Sequence, residues 1–374
     1  MNILINASNL FHLGGAAQVT DSICKELQYY PNHKFIVVFS ENFKPTADAV
    51  ATYSNVKTIF YAFPQKDWKS LFTKHNVFLD TLVETEKVDC VLTVFGPSKW
   101  VPRCRHISGF AIPHLPFSKS PFFENLSFVG RLKMSFFRMQ IKYLLGRSAD
   151  ILYTENPLVS DIIQGLYPRK RVFTITNNYN QIFDQPDNWG TYSLPAFDGV
   201  QILCVSSMMP HKNLRSCVGV AENLIRKHPE FRFRFVLTVD QDAFGYIPDT
   251  IKEHFYFTSS VHISKVPSLY KQCDIVFQPS LLECFSASYP EAMRMGKPLV
   301  VPKLPFAAGL CGNAAMYFDP MSLDDAAIKI YQLATDSQLI ERLVKEGDTQ
   351  LLKYDNYKQR AAKLIKLCED YDNL

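Results

Sequence analysis

The 374-residue chain is long for one domain and comfortable for two, and its 47% hydrophobic content is that of an ordinary globular protein, so each half can hold a core without staples. A formal net charge of +4 is too weak to announce a nucleic-acid binder. No run reaches the roughly 18 apolar residues of a membrane span, and the start MNILINASNLF lacks the charged leader and long apolar segment of a signal peptide. The nine cysteines form no CxxC or Cys/His metal spacing; Cys90, Cys204 and Cys273 lie in apolar runs and read as buried free thiols of a reducing cytosol.

NILIN at the front reads as a strand buried on both faces. A loop with Gly14 and Gly15 follows, then a helix with Val19, Ile23 and Leu27 on one face, then the strand KFIVVFS. This is a β-loop-α-β unit with glycines at the carboxyl end of its first strand. WKSLFTKHNVFLDTLVETEK (68–87) reads as a helix, and VDCVLTVF, RHISGFAI, ADILYT and RVFTIT as further strands. RLKMSFFRMQIKYLLGR (131–147) is basic and amphipathic, with Arg131, Arg138 and Lys142 on one side. A core-packed helix with a solvated basic face and a helix lying on an anionic membrane surface both satisfy it. Asn156 and Pro157 supply the cap and first turn of another helix.

Residues 179–199, polar and without a period, read as a linker between an N-terminal domain (1–178) and a C-terminal one (200–353). The β-loop-α-β pattern restarts at Val200: strand VQILCVSS, loop MMPHKN, then a helix with Leu214, Val218, Ala221 and Ile225 on one face. FRFRFVLTVD, VHIS and CDIVFQ read as strands, with the helix VPSLYKQ between the last two, and a basic tail helix (about 354–374) could pack back on the first domain. Ligands of such open parallel sheets sit beyond the carboxyl ends of the strands, so the loops of interest are 10–18, 95–100, 112–117, 206–213 and 279–289.

The stretch LLECFSASYPEAMRMGKPLVVP (281–302) sets two carboxylates, Glu283 and Glu291, eight residues apart between apolar runs. Pro290 suits a first helical turn, Ser288 or Tyr289 would cap it, and Gly296 ends it. The small residues Ser286, Ala287 and Ser288 leave backbone N–H groups for an anion such as a pyrophosphate. Glu291 in the first turn interacts well with the helix dipole and can accept two hydrogen bonds from a vicinal diol such as a ribose. On spacing alone, a first-turn glutamate and a surface glutamate with no shared role fit equally well.

The same stretch resembles the glutamate-x7-glutamate signature of the retaining glycosyltransferases of family 4, which have the GT-B fold. The likeness runs upstream through VHISKVPSLYKQCDIVFQPSLLECF and downstream through GNAAMYFDPMSLDDAAIKIYQL; in the first half only the layout matches, at GGAAQ, LYTENPLVSDII and TITNNYNQIF. The resemblance implies an α/β chain of two facing Rossmann-like domains with a cleft between them. It implies transfer of a sugar from a nucleotide-diphosphate donor (UDP or GDP) to an acceptor hydroxyl on a glycan or lipid-linked acceptor, with retention and without metal or other cofactor. The setting it suggests is cytoplasmic, in bacterial-type surface polysaccharide or glycan assembly, with a peripheral membrane contact left open.

By the same resemblance Glu291 binds the ribose hydroxyls, Glu283 contacts the donor sugar near the reacting centre, and Lys212 binds the diphosphate. Phe285, Ser286 and Ala287 bring backbone amides to the pyrophosphate and sugar, and Gly14 and Gly15 form the first-domain glycine loop. A histidine near the anomeric carbon is expected at His114, with His12 and His106 as competitors, and Asn177 and Asn178 are expected to turn the chain. Ser206 departs from the pattern: many family members carry an arginine there, and His211 or Arg215 would substitute only in part. Two alternatives remain, a GT-B nucleotide-sugar epimerase or phosphorylase and a catalytically silent partner subunit. The glutamate pair speaks against the first, and Ser206 is the only hint of the second.

Overall fold

Short apolar runs, most of them rich in Val, Ile and Phe, become strands in two separate parallel sheets. The computed structural model describes residues 1–10, 14–62, 73–124 and 126–373. They divide into an N-terminal unit (Met1–Pro116, Ser127–Asn177 and Asp355–Leu374) and a C-terminal unit (Phe117–Leu126 and Asn178–Tyr354).

The N-terminal sheet contains β1 (Asn2–Ala7), β2 (Lys34–Phe39), β3 (Val56–Phe60), β4 (Cys90–Gly96), β5 (Arg105–Phe110), β6 (Ile151–Thr154) and β7 (Arg171–Thr174), in the order β3-β2-β1-β4-β5-β6-β7. Every neighbouring pair is parallel. Side chains alternate across it with period two. Ile3, Ile5, Val37 and Leu92 face one core with Val19, Ile23 and Leu27, whereas Leu4, Ile36, Val38 and Val91 face the other with Leu79, Leu82 and Trp100. The edge strand β3 was not expected; its residues are half-buried or exposed, so it carries no continuous apolar run.

The first helix, Gly15–Glu26, begins before the apolar period at Val19, with Gly14 as its N-cap. The helix expected over 68–87 is observed at Val77–Thr85; residues 73–76 are not helical, and 63–72 lie outside the described residues. Asn76 sets its start: extended in backbone, it accepts the Leu79 N–H on Oδ1 at 3.0 Å. Asn156 caps Pro157–Leu166 in the same manner.

The tail returns to this unit. Asp355 accepts the Thr176 N–H at 3.0 Å and donates its own N–H to Thr176 Oγ1 at 2.6 Å. Asn356 and Gln359 then form a capping box that starts the helix Tyr357–Glu369. Buried Arg360 donates to Asn177 Oδ1, and Leu364, Ile365 and Cys368 complete the core that Ile3 and Val37 begin.

The C-terminal sheet contains β8 (Val200–Cys204), β9 (Phe233–Leu237), β10 (Phe255–Phe257), β11 (Ile275–Phe277), β12 (Leu299–Pro302) and β13 (Ala315–Phe318), all parallel, in the order β10-β9-β8-β11-β12-β13. VHIS is not a strand. His262 accepts the Ser264 N–H and starts a 3-10 turn over Ile263–Lys265, and β10 holds the edge beside β9. The helix Ser216–Lys227 buries Cys217, Val220, Ala221 and Leu224; Val218 and Ile225 are only half-buried, because the helix packs against Leu323–Thr335 as well as the sheet. Residues 179–199 do not hang free. Gly190, Tyr192 and Leu194 donate backbone N–H groups to Ser264 O, Ser268 Oγ and Gln272 Oε1 at 2.9, 3.2 and 2.9 Å. All nine cysteines are free thiols, and only Cys104 is not fully buried.

Leu364 is 0% exposed and Leu352 is 86% exposed. Leu364→Ala is therefore expected to cost about 2–5 kcal/mol and lower the urea unfolding midpoint, whereas Leu352→Ala should stay within about 0.5 kcal/mol of wild type.

Candidate functional site

Each sheet reverses its strand order once, between β1 and β4 and between β8 and β11. Connections leave such a pair in opposite directions and open a crevice at the carboxyl ends of the two strands. In the C-terminal unit the loop after β8 carries Ser206, His211 and Lys212, and the loop after β11 carries Glu283. The backbones are stitched together: Leu281 N donates to His211 O at 2.8 Å. A 3-10 turn, Pro210–Lys212, closed by left-handed Asn213 (φ +54°), presents the lysine. Asparagine tolerates that conformation better than most residues. Lys212 Nζ donates to Glu283 Oε1 at 2.5 Å, and the glutamate is buried while the lysine is half-buried. Ser120 Oγ donates to Leu281 O at 2.5 Å and steadies the same loop.

Glu291 lies in the first turn of the helix Ser288–Arg294, which Gly296 (φ +62°) ends. Ala287, not Ser288 or Tyr289, occupies the cap position, and Pro290 sits inside the first turn rather than opening it. Ser288 Oγ instead donates to Val205 O at 3.1 Å, tying the helix to the end of β8. Glu291 is 4% exposed, and its Oε2 accepts the Tyr270 O–H at 3.0 Å. No ion pair reaches it among the described residues. Burial therefore pushes its pKa from 4.5 up to about 7, with the Tyr270 bond pulling weakly the other way. Tyr270 is itself fully buried, its ring edge-on to Phe183.

Phe285 packs edge-on to Tyr354, and Ser286 is buried with its carbonyl accepting the Tyr289 N–H. Ala287 O accepts the Glu291 N–H at 3.0 Å. Ser206 is held by Thr238, whose Oγ1 accepts its N–H at 3.0 Å and donates to its carbonyl at 3.2 Å; the Ser206 hydroxyl oxygen is buried and has no hydrogen-bond partner among the described residues. Neither expected substitute cation is well suited. The Arg215 guanidinium lies against Gly245. The His211 ring meets Phe122 edge-on, and burial lowers its pKa despite Glu283.

In the N-terminal unit Gly14 and Gly15 are exposed, and a Cβ on either would meet nothing within 4 Å, so the packing of the chain itself does not demand glycine there. The His114 ring stands edge-on to Phe137, and its carbonyl accepts the Arg138 Nε–H at 3.0 Å. His106 is a core residue. Buried in β5 with Nε2 at 2.9 Å from Thr93 Oγ1, it has its pKa pushed down to about 3 by burial and stays neutral. His12 lies outside the described residues. Asn177 holds Arg360, and the Asn178 side chain accepts the Tyr179 N–H. Among the described residues no cluster of His, Cys, Asp and Glu is placed to hold a metal ion. Tyr270 was missed at the sequence level; in VPSLYKQ it is one apolar position among several, and only the fold shows that it faces Glu291.

Residues 199–336 match the family described as Glycosyl transferases group 1. No curated protein sequence matches the chain. Among solved structures, a glycosyltransferase from Rickettsia africae is 15% identical, covering 99% of this chain and 98% of that one with a TM-score of 0.71. A sucrose-phosphate synthase from Thermosynechococcus elongatus is 14% identical over 100% and 99%, with a TM-score of 0.75. The Anabaena protein HepE, solved with UDP and glucose, is 16% identical over 100% of both chains, with a TM-score of 0.66. The fold is therefore GT-B, built of two Rossmann-like units, and the C-terminal unit is similar to group 1 glycosyl transferases.

Since the folded state holds a proton on Glu291 that the unfolded chain releases, stability falls as pH rises from about 4.5 to about 7 and levels above it. Glu155, likewise buried and raised to about 7, adds to the same window. Glu291→Gln should gain in melting temperature relative to wild type between pH 5 and about 7.5, read by scanning calorimetry across that range. A difference constant with pH would contradict the buried-acid assignment.

Proposed function

We propose that the protein is a retaining glycosyltransferase of family 4. It moves a sugar from a nucleotide-diphosphate donor, UDP- or GDP-linked, to a hydroxyl of a glycan or lipid-linked acceptor in surface polysaccharide or glycan assembly, on the cytoplasmic side. The observation that carries this reading is the Lys212–Glu283 pair at the strand-order reversal of a unit whose segment 199–336 matches group 1 glycosyl transferases. An ammonium has three donors; Glu283 takes one, and the others suit phosphate oxygens. During reaction the bond from the anomeric carbon to the diphosphate breaks and the acceptor oxygen bonds to the same face of that carbon. The acceptor proton passes to the departing phosphate oxygen. Charge grows on the leaving diphosphate, so Lys212 stabilises the transition state more than the bound donor.

In this reading Glu291 accepts the ribose hydroxyls with Tyr270 holding its second oxygen, and Glu283 meets the donor sugar. Phe285, Ser286 and Ala287 line the approach to the diphosphate beside Ser206. Gly14, Gly15 and His114 are the proposed share of the N-terminal unit. No metal or other cofactor is needed. A catalytically silent subunit is the second reading, favoured by the uncharged Ser206 where a second cation would serve the diphosphate.

Calorimetric titration with UDP and GDP, followed by turnover of their sugars, tests both readings. Glu291→Ala should weaken nucleotide binding at least about tenfold, and Lys212→Met should lower kcat by about 10²–10³ with a smaller change in affinity. Nucleotide binding without turnover of any donor would leave the silent-subunit reading standing. Unchanged affinity in Glu291→Ala would remove the ribose role.

A further inference from the structure

Ser127 caps the helix Phe128–Arg147, accepting the Gly130 N–H at 3.2 Å, and its 20 residues span about 30 Å. It is anchored by few contacts: only Ile141, Leu144 and Leu145 are buried. Met134 is half-buried and Phe137 packs on His114 on the same side, but a separate set of large apolar residues is turned outward. Phe128, Leu132, Phe136, Met139 and Tyr143 are 76, 56, 61, 60 and 52% exposed. At about 100° per residue these five fall within an arc of about 80°, on the side opposite the buried three. Arg131 and Lys142 flank this stripe on one side and Lys133 on the other, where half-buried Arg147 donates to Lys99 O at 2.7 Å, and residues 127–149 contain no Asp or Glu. A core-packed amphipathic helix would show the reverse arrangement, apolar inward and charged outward.

We propose that this stripe docks flat on an anionic lipid bilayer, with the five apolar side chains at the level of the acyl-chain boundary and the basic flanks on lipid phosphates. Charge complementarity selects this occupant. A second copy of the helix would set basic flanks against basic flanks, whereas an anionic surface pairs with both. The aromatic members suit a boundary between water and hydrocarbon. No helix among the described residues is long and apolar enough to cross a membrane, so the contact is peripheral. Docking does not rest on the donor chemistry. If the proposed glycosyl transfer holds as well, the same helix holds the His114 loop from its other side, through Phe137 edge-on to the His114 ring at 5.5 Å, and a bilayer contact by this helix favours a lipid-linked acceptor.

The test is flotation of the full chain with vesicles of phosphatidylcholine alone or with about one-third phosphatidylglycerol, at low and at high salt. We expect flotation with the anionic vesicles only and weaker binding in high salt. Leu132→Ser/Phe136→Ser/Met139→Ser should lower partitioning at least about tenfold with an unchanged circular dichroism melt, and Lys133→Glu/Lys142→Glu should do so independently. Equal partitioning of wild type and both variants, or no flotation at all, would overturn the proposal. A concentration-dependent dimer in sedimentation that the triple variant abolishes, without flotation, would overturn it in favour of self-association. Loss of nucleotide binding with flotation intact would strike the glycosyltransferase reading and leave the docking surface in place.

Discussion

The parallel arrangement of β8 and β11 is the constraint on which the candidate site depends. Parallel neighbours share a carboxyl end, and the reversal of order between them sends their following segments apart. Lys212 and Glu283 are 71 residues apart in the chain, yet these two loops bring them into one ion pair. The pair is partly shielded, which strengthens it relative to a surface contact, and the bond from Leu281 N to His211 O sets its geometry from the backbone. Ser120 and Ser288 each add a hydrogen bond to the same frame, so the loops are held before any ligand arrives.

Glu291 shows the opposite electrostatic solution. It is buried beside a tyrosine rather than a cation, so its carboxyl is held close to neutrality, and one oxygen already has a partner. Under the proposed function, a carboxyl in that state would meet an uncharged diol rather than an anionic phosphate. Glu283, eight residues before Glu291 in the same stretch, is paired with Lys212 and occupies a different environment. Two carboxylates that look equivalent in the sequence are thereby given different chemistry by their surroundings.

The N-terminal unit is closed by the end of the chain. Thr176 and Asp355 exchange two hydrogen bonds, Arg360 reaches Asn177, and the tail helix supplies Leu364 and Ile365 to a core begun by β1 and β2. Asn177, read as a chain-turning residue, thus acquires a partner 183 positions away. The same unit leaves five large apolar residues exposed on one side of the Phe128–Arg147 helix.

What the sequence by itself determined was local. Short apolar runs such as ILI (3–5) and IVF (275–277) read as buried strands and are buried throughout; Asn156-Pro157 and Gly296 mark helix ends by backbone chemistry that needs no neighbour. The glutamate spacing in LLECFSASYPE likewise survives any rearrangement elsewhere. The tertiary structure decided what depends on partners distant in the chain. It placed the edge strands β3, whose residues are half-buried or exposed, and β10, a run of only three aromatic residues, and it turned VHIS into a capped turn. It buried His106 against Thr93, and it gave Glu291 its tyrosine and Glu283 its lysine. Whether the apolar side of 131–147 is inside or outside was also beyond the sequence, because periodicity reports that a helix has two faces and only packing decides which of them is covered.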